Sequence, residues 1–396
     1  MISFESANVS ACLSPRQILM GDGAAAQIRE MLGNWQMPEG RVLIVADKEV
    51  VRLGLIDKVR DPLASHYSLS IFDDIVGEPT VAVAQSIKDL ARDQSYAAVV
   101  GVGGGSAIDM AKLAAAFAVN TGEITDYIGI TSFKQSPLPL IAVPTTAGTG
   151  AEATAVSMLS IEDKKTIVLS PQLVPLAAVL DPLLTTSLPP KVTAATGLDA
   201  LSHALEAFMS VKASPFTDTQ AVATMTVVAR WLRKAFEDGG NLEARRAMLY
   251  AAYSGGLCLN AGVVLGHSVA YTISNRAHIP HGVSCAMALP YTIAYNQVVL
   301  GNRLAVAAGH VLGNPRAGGE DLALWAGDLV GDLGIPLSLE SVGVEEADLE
   351  VMAAECLEKY PRPTNPSPIT KDRLEVLYEK MYHGDVRGSI DAFRSV

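Results

Sequence analysis

Three short runs in the first half of the chain are apolar at nearly every position. They are Arg41-Val42-Leu43-Ile44-Val45-Ala46-Asp47, Tyr96-Ala97-Ala98-Val99-Val100-Gly101-Val102 and Leu138-Pro139-Leu140-Ile141-Ala142-Val143-Pro144. A strand with one wet face alternates apolar and polar residues, whereas these runs do not, so both of their faces are covered. Helical patterns over residues 80–93 and 106–119 separate them. Buried strands alternating with helices predict a parallel α/β sheet.

From about Thr185 the pattern changes to long Ala/Leu/Met-rich stretches at 191–210, 216–236, 242–259, 263–274, 283–295 and 302–312, with little strand character. Leu188-Pro189-Pro190 punctuates the change. The predicted organisation is an α/β domain over 1–187 and an all-helical domain over 188–396. The segment Tyr360-Pro361-Arg362-Pro363-Thr364-Asn365-Pro366 predicts a surface loop before a closing helix.

Composition removes several classes of function. Hydrophobic residues make up 49% of the chain and charged ones 18%, which supports a sizeable core and excludes a largely disordered chain. The net charge of −12, with no basic stretch against it, argues against a nucleic-acid or membrane-surface partner. The longest apolar candidate, 97–119, is broken by glycines, Ser106, Asp109 and Lys112, so no transmembrane helix is predicted. Four cysteines without a CxxC pair fit reduced thiols rather than a disulfide framework. The opening MISFESANVSAC has neither a basic nor an apolar region of a secretory signal. A cytoplasmic protein is the expectation.

Gly103-Gly104-Gly105-Ser106 follows a buried strand and opens a helix. Glycines let backbone N–H groups approach a ligand, and a helix N-terminus suits a phosphate. Ser106 is positioned to cap the helix, with Asp109 three residues on as the reciprocal carboxylate of a capping box. The glycine spacing departs from GxGxxG, and the candidate ribose-binding acid, Asp47, precedes the glycines instead of following them. A second turn, Thr145-Thr146-Ala147-Gly148-Thr149-Gly150, follows the next strand. Parallel strands present such turns at one sheet edge.

Asp199 and His203 stand at i and i+4 in an otherwise apolar helical segment, so they share a face. Burying both without partners is costly, and a shared cation satisfies both. His267 and His281, each beside a glycine at an element end, lie far enough apart for a loop to bring them together. One carboxylate and three imidazoles suit Fe²⁺ or Zn²⁺. His278 is a further candidate for a ligand or supporting donor.

These segments, in this order over residues 40 to 300, resemble the iron-containing alcohol dehydrogenase family. The carrying stretches are residues 103–112, Pro144-Thr145-Thr146-Ala147-Gly148-Thr149-Gly150-Ala151-Glu152, residues 197–206, and His267 through Pro280-His281-Gly282. The resemblance implies a nucleotide-binding α/β domain followed by a helical metal-binding domain, the dehydroquinate synthase-like fold, with the active site between them. It implies Asp199, His203, His267 and His281 as metal ligands. It implies Gly103, Gly104, Gly105, Ser106 and Asp109 at the cofactor pyrophosphate, with Thr145, Thr146 and Thr149 near the phosphates and nicotinamide. A lysine of the Lys164-Lys165 pair, Lys165 in our assignment, would reach the cofactor. Asp47 would face the adenosine ribose and favour NAD over NADP.

The implied reaction is hydride transfer between a primary alcohol or aldehyde, with hydroxy acids and semialdehydes included, and NAD(P), with Fe²⁺ or Zn²⁺ polarising the oxygen. A homodimer acting on a small molecule is implied as well. Many members carry a further histidine four residues after the third ligand. Here that position is Tyr271, and the local string over residues 267–274 is similar to the hydroxyacid–oxoacid transhydrogenase branch, which leaves Tyr271 or His278 to handle the proton. Three other readings are a transhydrogenase with tightly held nicotinamide, a lyase or cyclase of the dehydroquinate synthase superfamily, and a non-enzymatic scaffold.

Overall fold

The computed structural model describes residues 10–162 and 164–394, so most of the opening segment considered above for a signal lies outside the described residues. The chain divides into two compact units, Leu13–Leu188 and a second that begins at Pro189.

The first unit is built on six parallel strands. In spatial order they are Gln17–Met20, Ala177–Leu180, Leu140–Pro144, Tyr96–Gly103, Arg41–Ala46 and Ser68–Phe72. Ile44 pairs with Val100, and Val100 with Ile141, so the three apolar runs lie side by side at the centre. Successive strand residues point to opposite faces. Leu43 and Val45 pack with helices Val81–Asp93 and Gly105–Phe117, while Val42 and Ile44 pack with helices Ile28–Asn34 and Asp57–Ala64. All four side chains are fully buried, each contributing about 1.5–3 kcal/mol of hydrophobic stabilisation. This is why the strands lack alternation.

From Arg41–Ala46 the chain steps outward to Ser68–Phe72, then crosses back to Tyr96–Gly103. The direction of winding reverses between the strands that end at Ala46 and Gly103. Such a reversal opens a crevice at the carboxyl ends of the strands, the usual ligand position in α/β sheets. A smaller sheet pairs Val156–Ile161 antiparallel to Lys164–Leu169 and adds Gly129–Ile130. The sequence reading did not anticipate it.

In the second unit every named element is helical. Helix Pro190–Met209 begins on two prolines, which have no N–H to leave unsatisfied in a first turn. It is buried on all sides from Gly197 to Met209. Its neighbours come close because small residues let them. A side chain at Gly197 would collide with Leu232, and one at Gly255 would meet the Ala200 carbonyl at 3.2 Å. Helices Pro215–Glu237, Leu242–Cys258, Leu265–Ala277 and His281–Asn296 surround it.

Two expectations need correction here. The proline-rich segment is a loop that reaches the surface only in part: Pro361 and Pro363 are exposed, whereas its far end is packed inward. Thr364 and Ser367 are buried, and the Asn365 side chain donates to Asn296 Oδ1 at 3.1 Å and accepts from Leu265 N at 3.2 Å. The segment is followed by two helices, Lys371–Tyr382 and Val386–Arg394. Among the described residues, no single helix is long and apolar enough to cross a membrane.

Candidate metal centre and cofactor turn

In the second unit, Asp199 and His203 lie one turn apart on the buried helix Pro190–Met209, with His203 Nε2 3.7 Å from Asp199 Oδ1. His267 is in the first turn of Leu265–Ala277, and His281 opens His281–Asn296. Gly282 lets that last helix abut the first: a Cβ there would stand 2.5 Å from the Ala195 carbonyl oxygen. His281 Nε2 thereby comes within 4.0 Å of Asp199 Oδ1. The His267 ring lies against His203 at 5.0 Å between centroids and against His281 at 5.5 Å.

The polarity of this cluster has a specific gap. Asp199 Oδ1 and His267 Nε2 are buried with no hydrogen-bond partner among the described residues. An unmet buried carboxylate oxygen or ring nitrogen costs a few kcal/mol. The opposite nitrogen, His267 Nδ1, donates to Glu206 Oε1 at 2.6 Å, and Glu206 Oε2 accepts from Val264 N and His267 N. That bond sets the tautomer and leaves Nε2 with a lone pair able to take a cation. Burial opposes ionisation of Asp199, but the imidazoles of His203, His281 and His267 outweigh it and hold the carboxyl below its usual range. The donors therefore fit a divalent cation.

Donor atoms of Asp199, His267, His281 and Cys285 lie within 4.8 Å of one another, a group that includes a cysteine and leaves out His203. Cys285 follows His281 by one turn on the same helix face, a spacing present in the sequence but not exploited. Glu206 was also overlooked, although it lies seven residues after Asp199 on the same face.

The two residues considered for proton handling part company. Tyr271 is buried, with its ring stacked on His281 at 5.4 Å and edge-on to His267 at 6.3 Å. Burial pushes its phenol up, so it stays protonated through neutral pH. The Arg362 guanidinium lies 5.6 Å from the centre of its ring. His278 is not brought to the cluster. It is exposed at the end of Leu265–Ala277, in left-handed conformation with φ 53°, and terminates that helix. Arg276 pairs with Asp348 at 3.3 Å.

In the first unit, the glycine turn sits at the winding reversal. Gly103 has φ +156°, and a side chain there would collide with the Asp47 carboxylate. Asp47 Oδ2 accepts from Gly104 N at 2.7 Å. The two turns touch: Gly105 faces Thr149, where a Cβ would meet Thr149 Oγ1 at 3.0 Å, and Thr145 N donates to the Gly103 carbonyl at 2.9 Å. Thr146 packs at Gly104.

The predicted capping box is absent. The helix starts at Gly105 with Gly104 as its cap, which puts Ser106 inside the first turn. Asp109 turns inward instead, accepting from Met158 N at 2.9 Å and pairing with the buried Lys112 at 3.3 Å. It is engaged in joining helix to hairpin. Lys165 pairs with Glu78 at 2.6 Å. Beside Lys112, burial raises the Glu152 carboxyl to about 7.

Two family models match the chain. Residues 15–182 match the model described as iron-containing alcohol dehydrogenase, and residues 193–382 match the Fe-containing alcohol dehydrogenase family C-terminal model. The chain belongs to the iron-containing alcohol dehydrogenase family. The Geobacillus thermodenitrificans protein named long-chain-alcohol dehydrogenase 1 is 38% identical over 87% of this chain and 90% of that protein. Among solved structures, 1,3-propanediol oxidoreductase superimposes with a TM-score of 0.89 at 29% identity, covering 94% of this chain and all of that one. The sulfoacetaldehyde reductase of Bifidobacterium kashiwanohense, solved with NAD⁺, gives 0.86 at 29% identity over 95% and 99%.

As an iron-containing alcohol dehydrogenase, this protein is a metal-dependent oxidoreductase that moves a hydride between an alcohol or aldehyde and a nicotinamide cofactor. The α/β sheet followed by a helical unit is the family's fold.

Proposed function

We propose that Asp199, His203, His267 and His281 hold the catalytic ion, and that NAD is bound by the Gly103–Ser106 turn with Thr145, Thr146 and Thr149. The carrying observation is the pair of buried, unpartnered atoms, Asp199 Oδ1 and His267 Nε2, facing a common point. A divalent ion held there supplies Lewis-acid polarisation of the substrate oxygen, and nicotinamide supplies the hydride acceptor.

The chain's own side chains do the rest. Glu206 fixes the His267 ring, so the donors are aligned before ligand arrives. Tyr271, protonated and stacked on His281, is the proposed proton-handling residue. The glycine turn offers backbone N–H groups at a helix start, where a pyrophosphate is stabilised. The Asp47 carboxylate at that turn repels a 2′-phosphate, which supports NAD over NADP. In the same reading the protein works in the cytoplasm as a homodimer. None of its four cysteines is joined in a disulfide, which accords with a reducing compartment.

The test is elemental analysis of anaerobically purified protein, followed by an alcohol panel with NAD and with NADP. The expected result is bound divalent metal and NAD-dependent turnover. His267→Ala should lose metal and turnover while keeping its circular dichroism spectrum. Retention of metal and activity in that variant would refute the ligand assignment.

A further inference from the structure

We propose that Cys285 is itself a ligand of the divalent ion, so that this centre offers sulfur beside nitrogen and oxygen and prefers Zn²⁺ to Fe²⁺. The inference rests on the metal-centre reading above. Three imidazoles and a carboxylate accept either metal, so any further donor decides the preference.

Cys285 is 1% exposed, and its sulfur is 3.5 Å from His281 Nε2. Two donors that share one ion, each about 2.0–2.3 Å from it, stand no more than about 4.6 Å apart. The sulfur meets this spacing with His281, and all four donor atoms of Asp199, His267, His281 and Cys285 lie within 4.8 Å of each other. A buried cysteine ordinarily serves as a small hydrophobe among apolar neighbours. This one faces a carboxylate and imidazoles, with its sulfur 3.5 Å from Nε2 and 3.8 Å from Nδ1 of His281. Asp199 and His267, which carry the unpartnered Oδ1 and Nε2, belong to the same group. They mark the point at which an ion would meet the sulfur.

The helix explains the juxtaposition. His281 occupies the first position of His281–Asn296, and Cys285 follows one turn later, so both face the same side. The close approach at Gly282 presses that side against helix Pro190–Met209. When the ion binds, the thiol proton leaves to solvent and the thiolate donates an electron pair to the metal, with no change of oxidation state. A thiolate is a soft donor and favours zinc over ferrous iron beyond the ordering already set by nitrogen and oxygen ligands.

The experiment loads the full-length protein anaerobically with Co²⁺ and compares wild type with Cys285→Ser and Cys285→Ala. Wild type should show a near-ultraviolet thiolate-to-cobalt charge-transfer band. Both variants should bind one equivalent of cobalt by elemental analysis and lack the band. In a parallel equimolar Fe²⁺ and Zn²⁺ competition, the bound zinc-to-iron ratio should fall about tenfold in the variants, as expected on losing a soft donor. Stoichiometric cobalt in wild type without the band, or an unchanged zinc-to-iron ratio, overturns the sulfur ligand and leaves the metal centre standing. Failure of wild type to bind any of the three ions overturns the metal-centre reading and this proposal with it.

Discussion

Glu206 takes a 2.6 Å hydrogen bond from Nδ1 of His267, which fixes which ring nitrogen faces the metal centre. The same carboxylate also takes the two backbone N–H groups of Val264 and His267. Glu206→Gln keeps the size but offers an amide in place of one acceptor oxygen. Metal affinity should fall about 10–100-fold, the usual cost of losing such a partner. Chelator competition measures it, with circular dichroism to confirm an intact fold.

Gly282 is a point of close contact between two helices that each carry donors. In Gly282→Ala the added Cβ meets the Ala195 carbonyl at 2.5 Å, and backbone cannot step aside as a side chain would. The variant should lose about 1–3 kcal/mol of stability, as overpacked cores do, and should retain less metal after dialysis. Thermal melting and elemental analysis read the two effects separately.

Gly103→Ala tests the other unit. The positive φ and the clash with Asp47 both oppose a side chain there. Calorimetric titration should show NAD affinity reduced tenfold or more, about 1.4 kcal/mol. Metal content should remain unchanged.

Tyr271→Phe preserves the ring that stacks on His281 and removes the hydroxyl. The rate constant of the chemical step should fall by about a hundredfold, the lower range for a lost proton-handling group. The NAD dissociation constant should not move. Single-turnover kinetics with a deuterated alcohol isolates the step.

Glu152 gives a pH-dependent outcome. Its carboxyl is raised from an ordinary 4.5 to about 7, chiefly by burial, so between those values the folded chain holds a proton that the unfolded chain has released. The slope of unfolding free energy with pH is therefore negative for this group. Its stabilising contribution is full below 4.5 and is lost as pH rises through about 7. Glu152→Gln has no such proton to lose. Relative to wild type, its melting temperature should gain ground as pH climbs from about 5 to about 8.

The central strands were legible because burial on both faces leaves a run such as Val42-Leu43-Ile44-Val45 with no polar position. Helix ends were legible to within three residues: the pattern over 242–259 becomes Leu242–Cys258, and that over 263–274 becomes Leu265–Ala277. The hairpin Val156–Ile161 with Lys164–Leu169 was not, because its short, partly exposed strands carry serines and lysines that match no buried pattern. Ser106 misled for a different reason. Strand Tyr96–Gly103 runs one glycine further than the motif suggests, which moves the cap to Gly104. Asp199 and His203 stood out because they are polar on an apolar helix. Glu206 and Cys285 share their surroundings but needed three-dimensional neighbours to acquire meaning: one the ring of His267, the other the imidazole of His281.

Because the donors of the proposed metal cluster are drawn from three separate helices, an ion bound there would act as a rivet through the second unit. Loading it adds stability in proportion to the logarithm of free metal over its dissociation constant. Without the ion, Asp199 Oδ1 and His267 Nε2 stay unmet where those helices join, so the proposed site is the part of this unit expected to loosen first on demetallation.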